Sequence, residues 1–226
     1  DIGLLALQGP DAPAVLRKLT RTDLDAIEYY HFAEGSVAGI DAIISRTGYT
    51  GEDGFELYIA ADRTVELWRA VLSAGEEFGI LPIGLGARDS LRLEMGYMLY
   101  GNDIDDQHTP LEAGLGWVTK LDKGDFIGRA ALVAQKEAGL RQRLVGFVLK
   151  ERAFPRHGYE VRVGGEPAGV VTSGTVAPSL DQGVGMAYVP VEAAKPGTQI
   201  EVVVRNKPTA AEVVKPPFYK GSSIKR

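Results

Sequence analysis

Residues 46 to 60, RTGYTGEDGFELYIA, place three acids, three tyrosine or phenylalanine rings, and glycines at 48, 51 and 54 within fifteen positions. Carboxylates in such a setting can accept paired N–H donors from a ligand or simply solvate a bend. Glycine at those positions permits positive φ and close approach of another backbone or a flat ligand. After the turn, alternation sets Phe55, Leu57 and Ile59 on one face of a strand and Glu56 with Tyr58 on the other. By pattern alone Glu56 is level with a solvated strand glutamate. Glu52 and Asp53 sit in the turn proper, where acids commonly shape the bend.

Downstream, Arg88 and Arg92 are four apart and share a helix face. Asp89 stands three before Arg92 and offers it a local ion pair. Arg88 has no acid at that spacing on its C-terminal side and is expected to point outside the helix, toward a partner there or into solvent. Tyr97 and Tyr100 precede the acidic loop of Asp103, Asp105 and Asp106, which fails the register and terminal glutamate of a calcium loop. Helix termination and turn formation are expected to account for most of these acids. His31, His108 and His157 are scattered and show no metal-ligand spacing, so no metal is expected. The glycines of GILPIGLGARDS lack the dinucleotide fingerprint, and no phosphate-binding loop is present.

The elements that must position these groups read as follows. GPDAPAVLRKLT suggests a helix with Asp11 as N-cap and Pro13 in its first turn. SVAGIDAIISRT and FELYIA suggest strands flanking the glycine turn. ADRTVELWRAVLSAG suggests an amphipathic helix with Val65, Trp68, Val71 and Leu72 inward and Gly75 at its C-terminal end. A further helix, LGARDSLRLEMG, follows the break at Pro82 and Gly84. From residue 143 six short β-branched runs, punctuated by Gly and Pro, predict a small barrel or sandwich. The expected fold class is α+β, with an α/β domain over residues 1–142 and a C-terminal β-barrel over 143–226.

Bulk properties agree with a soluble globular chain. The 226 residues are 45% hydrophobic and carry a net charge of −5, which argues against nucleic-acid or anionic-membrane binding. No apolar run reaches the length of a membrane span. The absence of cysteine removes thiolate chemistry and fits a reducing compartment.

Several long runs carry a resemblance. GYTGEDGFELY, ARDSLRLEMGYMLYGNDID and TPLEAGLGWVTKLDKGDFIGRAAL closely resemble the glycine cleavage system T-protein family. LLALQGPDA, VVTSGTVAPSL, GMAYVP and KPPFY support the match in chain order. The resemblance implies a folate-binding α/β part followed by a C-terminal barrel. It also implies a tetrahydrofolate-dependent aminomethyltransferase. Such an enzyme moves the methylene of the aminomethyl-lipoyl carrier, the H-protein, to tetrahydrofolate with release of ammonia.

Carried over by motif, the family's folate-binding glutamate matches Glu56 and its arginine matches Arg88. Arg88 would pair with folate carboxylates or orient Glu56. Tyr97 and Tyr219 are the further aromatic candidates for folate contact. The family's catalytic aspartate lies in a section before LLALQGP and has no counterpart here. The chain is therefore expected to be a fragment, or a subunit needing a partner, that does not turn over efficiently alone. Its compartment is expected to be bacterial cytoplasm, or the mitochondrion in a eukaryote. The absence of cysteine weighs against the non-catalytic relatives that carry a Lys-Gly-Cys motif. The GNDIDDQHTPLEAGLGWVTKL wording weighs against the folate domain of a dimethylglycine- or sarcosine-oxidising flavoenzyme.

Overall fold

The structure, a computed structural model, describes residues 1–224. They form two compact units: Asp1–Leu91 joined by the C-terminal segment from Lys220, and Arg92–Tyr219.

In the first unit β1 (Ile2–Gln8), β2 (Phe32–Val37), β3 (Ile40–Ser45) and β4 (Gly54–Ala60) form an antiparallel sheet in the order β1-β4-β3-β2. The stretch SVAGIDAIISRT is not one strand but the end of β2 and all of β3. Ala38 and Gly39, with φ of 52° and 76°, make the two-residue hairpin turn whose twist suits antiparallel neighbours. Alternation along β4 holds: Phe55, Leu57 and Ile59 are buried, while Glu56 and Tyr58 are half-buried.

Helices α1 (Ala12–Arg17) and α2 (Thr64–Gly75) pack with this apolar face, in a core that includes Leu16, Ile44, Phe55, Leu57 and Leu67. Asp11 occupies the N-cap of α1 without a side-chain cap bond, and proline stands in the first turn. The inward face of α2 differs from expectation. Leu67, Val71 and Ala74 are buried, whereas Val65 and Trp68 are 60% and 41% exposed. Apolar residues lie on more than one side of α2, so its period fits two stripes and the sheet selects one. Helix α3 (Leu85–Glu94) matches the sequence expectation.

In the second unit, α4 (Arg129–Ala138) precedes β5 (Gln142–Leu149), β6 (Glu160–Val163), β7 (Glu166–Ala177), β8 (Gln182–Pro190), β9 (Gln199–Val204) and β10 (Lys207–Val214). These strands close into a barrel in the order β10-β5-β8-β7-β6-β9. Each of the six β-branched runs became one strand. Closure removes the open edges that six short strands would otherwise expose. Phe147, Leu149, Val161, Val171, Val202 and Ala211 fill the interior.

Before the barrel, Thr109 and Glu112 bond to each other reciprocally across a turn, in the pattern of a capping box. The Thr109 N–H donates to Glu112 Oε2 at 2.9 Å, and the Glu112 N–H donates to Thr109 Oγ1 at 3.3 Å. Burial pushes the Glu112 carboxyl up, but donors from Thr109 and Gln142 outweigh it and hold its pKa below the ordinary 4.5. A folded pKa below the unfolded one stabilises the fold above the ordinary carboxylate range and ceases to do so as pH falls through the lowered value. Glu112→Gln should therefore flatten the acid limb of the stability profile, measured as urea midpoints down through the carboxylate range. An unchanged acid limb would show that Glu112 titrates alike in both states.

Candidate functional site

The turn between β3 and β4 is held from several sides. Gln8 Nε2 donates to the Thr47 carbonyl at 3.0 Å, and Thr50 Oγ1 donates to Gln8 Oε1 at 3.0 Å. Arg46 grips Asp53 through a fork, Nε to Oδ1 at 3.0 Å and Nη2 to Oδ2 at 2.7 Å. That paired geometry is the strong form of an arginine–carboxylate contact. It raises the Arg46 pKa, chiefly through the Asp53 hydrogen bond. Asp53 thus shapes the turn, as expected, while Glu52 accepts from Ser223 near the C-terminus.

The three glycines serve different ends. Only Gly51 has positive φ, at 81°. A Cβ on Gly48 would lie 1.9 Å from Gln8 Oε1, and one on Gly54 would lie 2.5 Å from the Leu7 carbonyl oxygen. Gly48 and Gly54 therefore admit this chain's own β1, and the expectation of positive φ holds at one position of three.

Beside the turn lies a cavity of about 350 Å³, within the range of small-molecule sites. Leu5 and Leu7 of β1 and Trp68 and Leu72 of α2 supply apolar walls, and Tyr49, Glu56 and Arg88 supply polar ones. Sequence pattern separated Glu56 from Arg88; the fold brings both to this cavity. Thr47 Oγ1 donates to Glu56 Oε2 at 2.6 Å, and Tyr58 OH stands 3.5 Å from the same oxygen. Among the described residues Glu56 Oε1 has no hydrogen-bond partner and stays open as an acceptor.

Arg88 projects from the helix, as expected. Its guanidinium carbon sits 4.4 Å from the centroid of the Tyr49 ring, a cation–π contact. Among the described residues it makes no ion pair. Its five N–H donors are therefore available to an anionic or polar ligand. Tyr49, Trp68 and Gln8 were not expected from the sequence to be site residues. Tyr49 alone carried a signal, as the ring inside the glycine turn.

Tyr97 and Tyr219 belong to the second unit, where each donates its backbone N–H to the last turns of α3. Tyr97 donates to the Arg92 carbonyl at 2.8 Å and Tyr219 to that of Glu94 at 2.9 Å. Arg92 is 1% exposed and pairs with Asp103 at 2.7 Å. Asp103, itself 0% exposed, also accepts from the hydroxyls of Thr172 and Ser173 and from the Leu99 N–H. Asp103 is thus among the acids that turn formation does not account for: it is a counter-ion of a buried arginine. Asp105 fits its turn role, accepting from the Gln107 and His108 N–H groups at 2.8 and 3.0 Å. His108 lies 2.7 Å from the same carboxylate and stacks on Tyr188, ring centroids 3.9 Å apart. No group of His, Asp and Glu suited to a metal ion occurs among the described residues. No helix there is long and apolar enough to cross a membrane.

A helix-backed antiparallel sheet joined in one chain to a closed six-stranded barrel defines a mixed α/β protein with an appended barrel domain. The chain belongs to the glycine cleavage T-protein family: the family's "GCVT N-terminal domain" matches residues 1–123, and its "Glycine cleavage T-protein C-terminal barrel domain" matches residues 142–220. The aminomethyltransferase of Halothermothrix orenii is 54% identical over 218 residues, covering 96% of this chain and 61% of the relative. That of Bacteroides thetaiotaomicron is 56% identical over 223 residues, covering 97% and 62%. The crystal structure of the glycine cleavage system aminomethyltransferase T from Bartonella henselae superposes with a TM-score of 0.90 at 37% identity. It is covered over 61% of its length, and this chain over 99%. The chain thus spans about 61% of the length of such relatives.

Proposed function

We propose that this chain carries the tetrahydrofolate-binding part of an aminomethyltransferase of the glycine cleavage system. The reaction would pass the methylene of an aminomethylated lipoyl carrier protein to tetrahydrofolate, releasing ammonia and the reduced lipoyl arm. Folate enters as the acceptor substrate, the H-protein as partner, and the bacterial cytoplasm or the mitochondrion as the compartment. Residues 1–142 would form the folate-binding domain and 143–226 the barrel domain.

One observation carries this reading: Glu56, with one carboxylate oxygen open as an acceptor, and Arg88 line the same cavity. A pterin ring offers adjacent N–H donors on its amide edge, and a carboxylate is the acceptor that meets two of them at once. The apolar walls would cover the ring faces, and Arg88 would pair with the folate carboxylates or orient Glu56. Tyr97 and Tyr219 stand as further folate contacts on the family resemblance alone. Holding the acceptor nitrogen against the carrier arm is chiefly a matter of positioning. No residue here is assigned the proton transfer, since Asp103 is committed to Arg92 and Asp105 to its own turn and His108.

Titration calorimetry of the chain with tetrahydrofolate tests the proposal, with p-aminobenzoylglutamate as the ligand lacking a pterin. Saturable heat with the first and none with the second is expected. Equal heats would remove the pterin edge from the recognition, and no heat with either would reject the site.

A further inference from the structure

Glu52 and Asp53 lie in the turn, yet their side-chain and backbone partners include residues 170 and 171 positions away. The C-terminal residues Ser222 and Ser223, both half-buried, engage three consecutive turn residues. Ser222 Oγ donates to the Gly51 carbonyl. Ser223 Oγ donates to Glu52 Oε2, and the Ser223 N–H donates to the same oxygen at 3.2 Å. Ser223 Oγ in turn accepts the Asp53 N–H at 2.9 Å. One hydroxyl thereby uses its donor and an acceptor position together. Ile224 N–H closes back on Ser222 Oγ at 3.3 Å.

Of the three bonded turn residues, Glu52 lines the cavity, and Gly51 and Asp53 flank Glu52 in sequence. Tyr49, Thr50 and Glu52 all line the cavity, and Tyr49 is the ring on which Arg88 rests. Gln8 and Arg46 fix the two ends of the turn, while the C-terminal segment fixes its crest. The two Ser223 donors on Glu52 also have an electrostatic consequence. They spread the charge of a cavity-lining carboxylate that would otherwise oppose an anionic ligand.

We propose that residues 221–224 act as a clasp on this turn, with Ser223 and Glu52 as positioning residues for ligand binding. The proposal rests on the folate reading of the cavity. Preorganised walls bind more tightly than walls that must be ordered on binding.

The test compares the whole chain with Ser223→Ala and Ser223→Thr. It reads tetrahydrofolate affinity by calorimetry, exchange of the Asp53 amide, and the urea midpoint. Ser223→Ala removes a hydrogen bond to a charged group, so about tenfold weaker binding is expected. The Asp53 amide should exchange faster while the urea midpoint stays close to that of the unsubstituted chain. Ser223→Thr keeps the hydroxyl and should restore both affinity and protection. If the unsubstituted chain binds and Ser223→Ala binds equally well, the clasp has no positioning role and the proposal fails by itself. If the unsubstituted chain gives no binding heat, the folate reading fails and takes the ligand half of this proposal with it.

Discussion

Glu56→Gln should weaken tetrahydrofolate binding by about 10- to 100-fold, the value of a charge-assisted hydrogen bond or two in a partly dry cavity. Gln matches the shape of Glu and can still accept from Thr47, whose hydroxyl sits 2.6 Å from Glu56 Oε2. The substitution therefore spares the local fold. What changes is the open oxygen: a carboxylate accepts two N–H donors, whereas an amide replaces one acceptor by its own NH₂. That NH₂ would face the donor edge of the pterin. Calorimetry on the chain reads the effect, and circular dichroism confirms that the sheet is intact. Affinity within about twofold of the unsubstituted chain would sink the assignment of Glu56, since a twofold change is less than one hydrogen bond contributes.

Asp103→Ala should destabilise the second unit by about 3–5 kcal/mol, the usual consequence of removing one partner from a buried ion pair. The side chains of Arg92 and Asp103 are 2% and 0% exposed and meet at 2.7 Å. The Arg92 guanidinium also donates to the Tyr97 carbonyl at 3.1 Å and to Ser173 Oγ at 2.9 Å, neutral acceptors that do not replace the lost carboxylate. The hydroxyls of Thr172 and Ser173 and the Leu99 N–H lose their acceptor as well. Replacing both charges, as in Arg92→Leu with Asp103→Leu, should destabilise less than Asp103→Ala alone, because no uncompensated charge then remains inside. Urea unfolding followed by far-UV circular dichroism measures both variants. A double variant as unstable as the single one would show that lost packing, and not the stranded charge, sets the effect.

Much of the framework was legible from short windows. The six barrel strands announced themselves as β-branched runs between glycine and proline, and each formed where its run lay. The alternation of FELYIA placed Glu56 opposite the buried face, as β4 confirms. Arg88 was expected to leave its helix because no acid stood at the right spacing. These inferences succeed because strand alternation and helix spacing are set by a few neighbouring residues.

Other features depended on parts of the chain that spacing does not connect. The apolar surface of α2 admitted two stripes, and contact with the sheet chose Leu67, Val71 and Ala74 over Val65 and Trp68. The hairpin at Ala38 and Gly39 divided a stretch whose hydrophobicity alone looked continuous. Arg92 also meets Asp103, eleven residues on, in a buried ion pair that helical spacing does not reveal.

The turn 46–60 shows the same division. Its sequence alone established a glycine-rich bend leading into a strand that turns Glu56 away from the core, and the long motifs around it established the family. Only the tertiary structure decided that Gly48 and Gly54 make room for β1, that Arg88 rests on Tyr49 beside Glu56, and that Glu52 holds a serine 171 residues away. Backbone periodicity is a property of adjacent residues, whereas these contacts arise when separate elements pack and their polar groups must find partners.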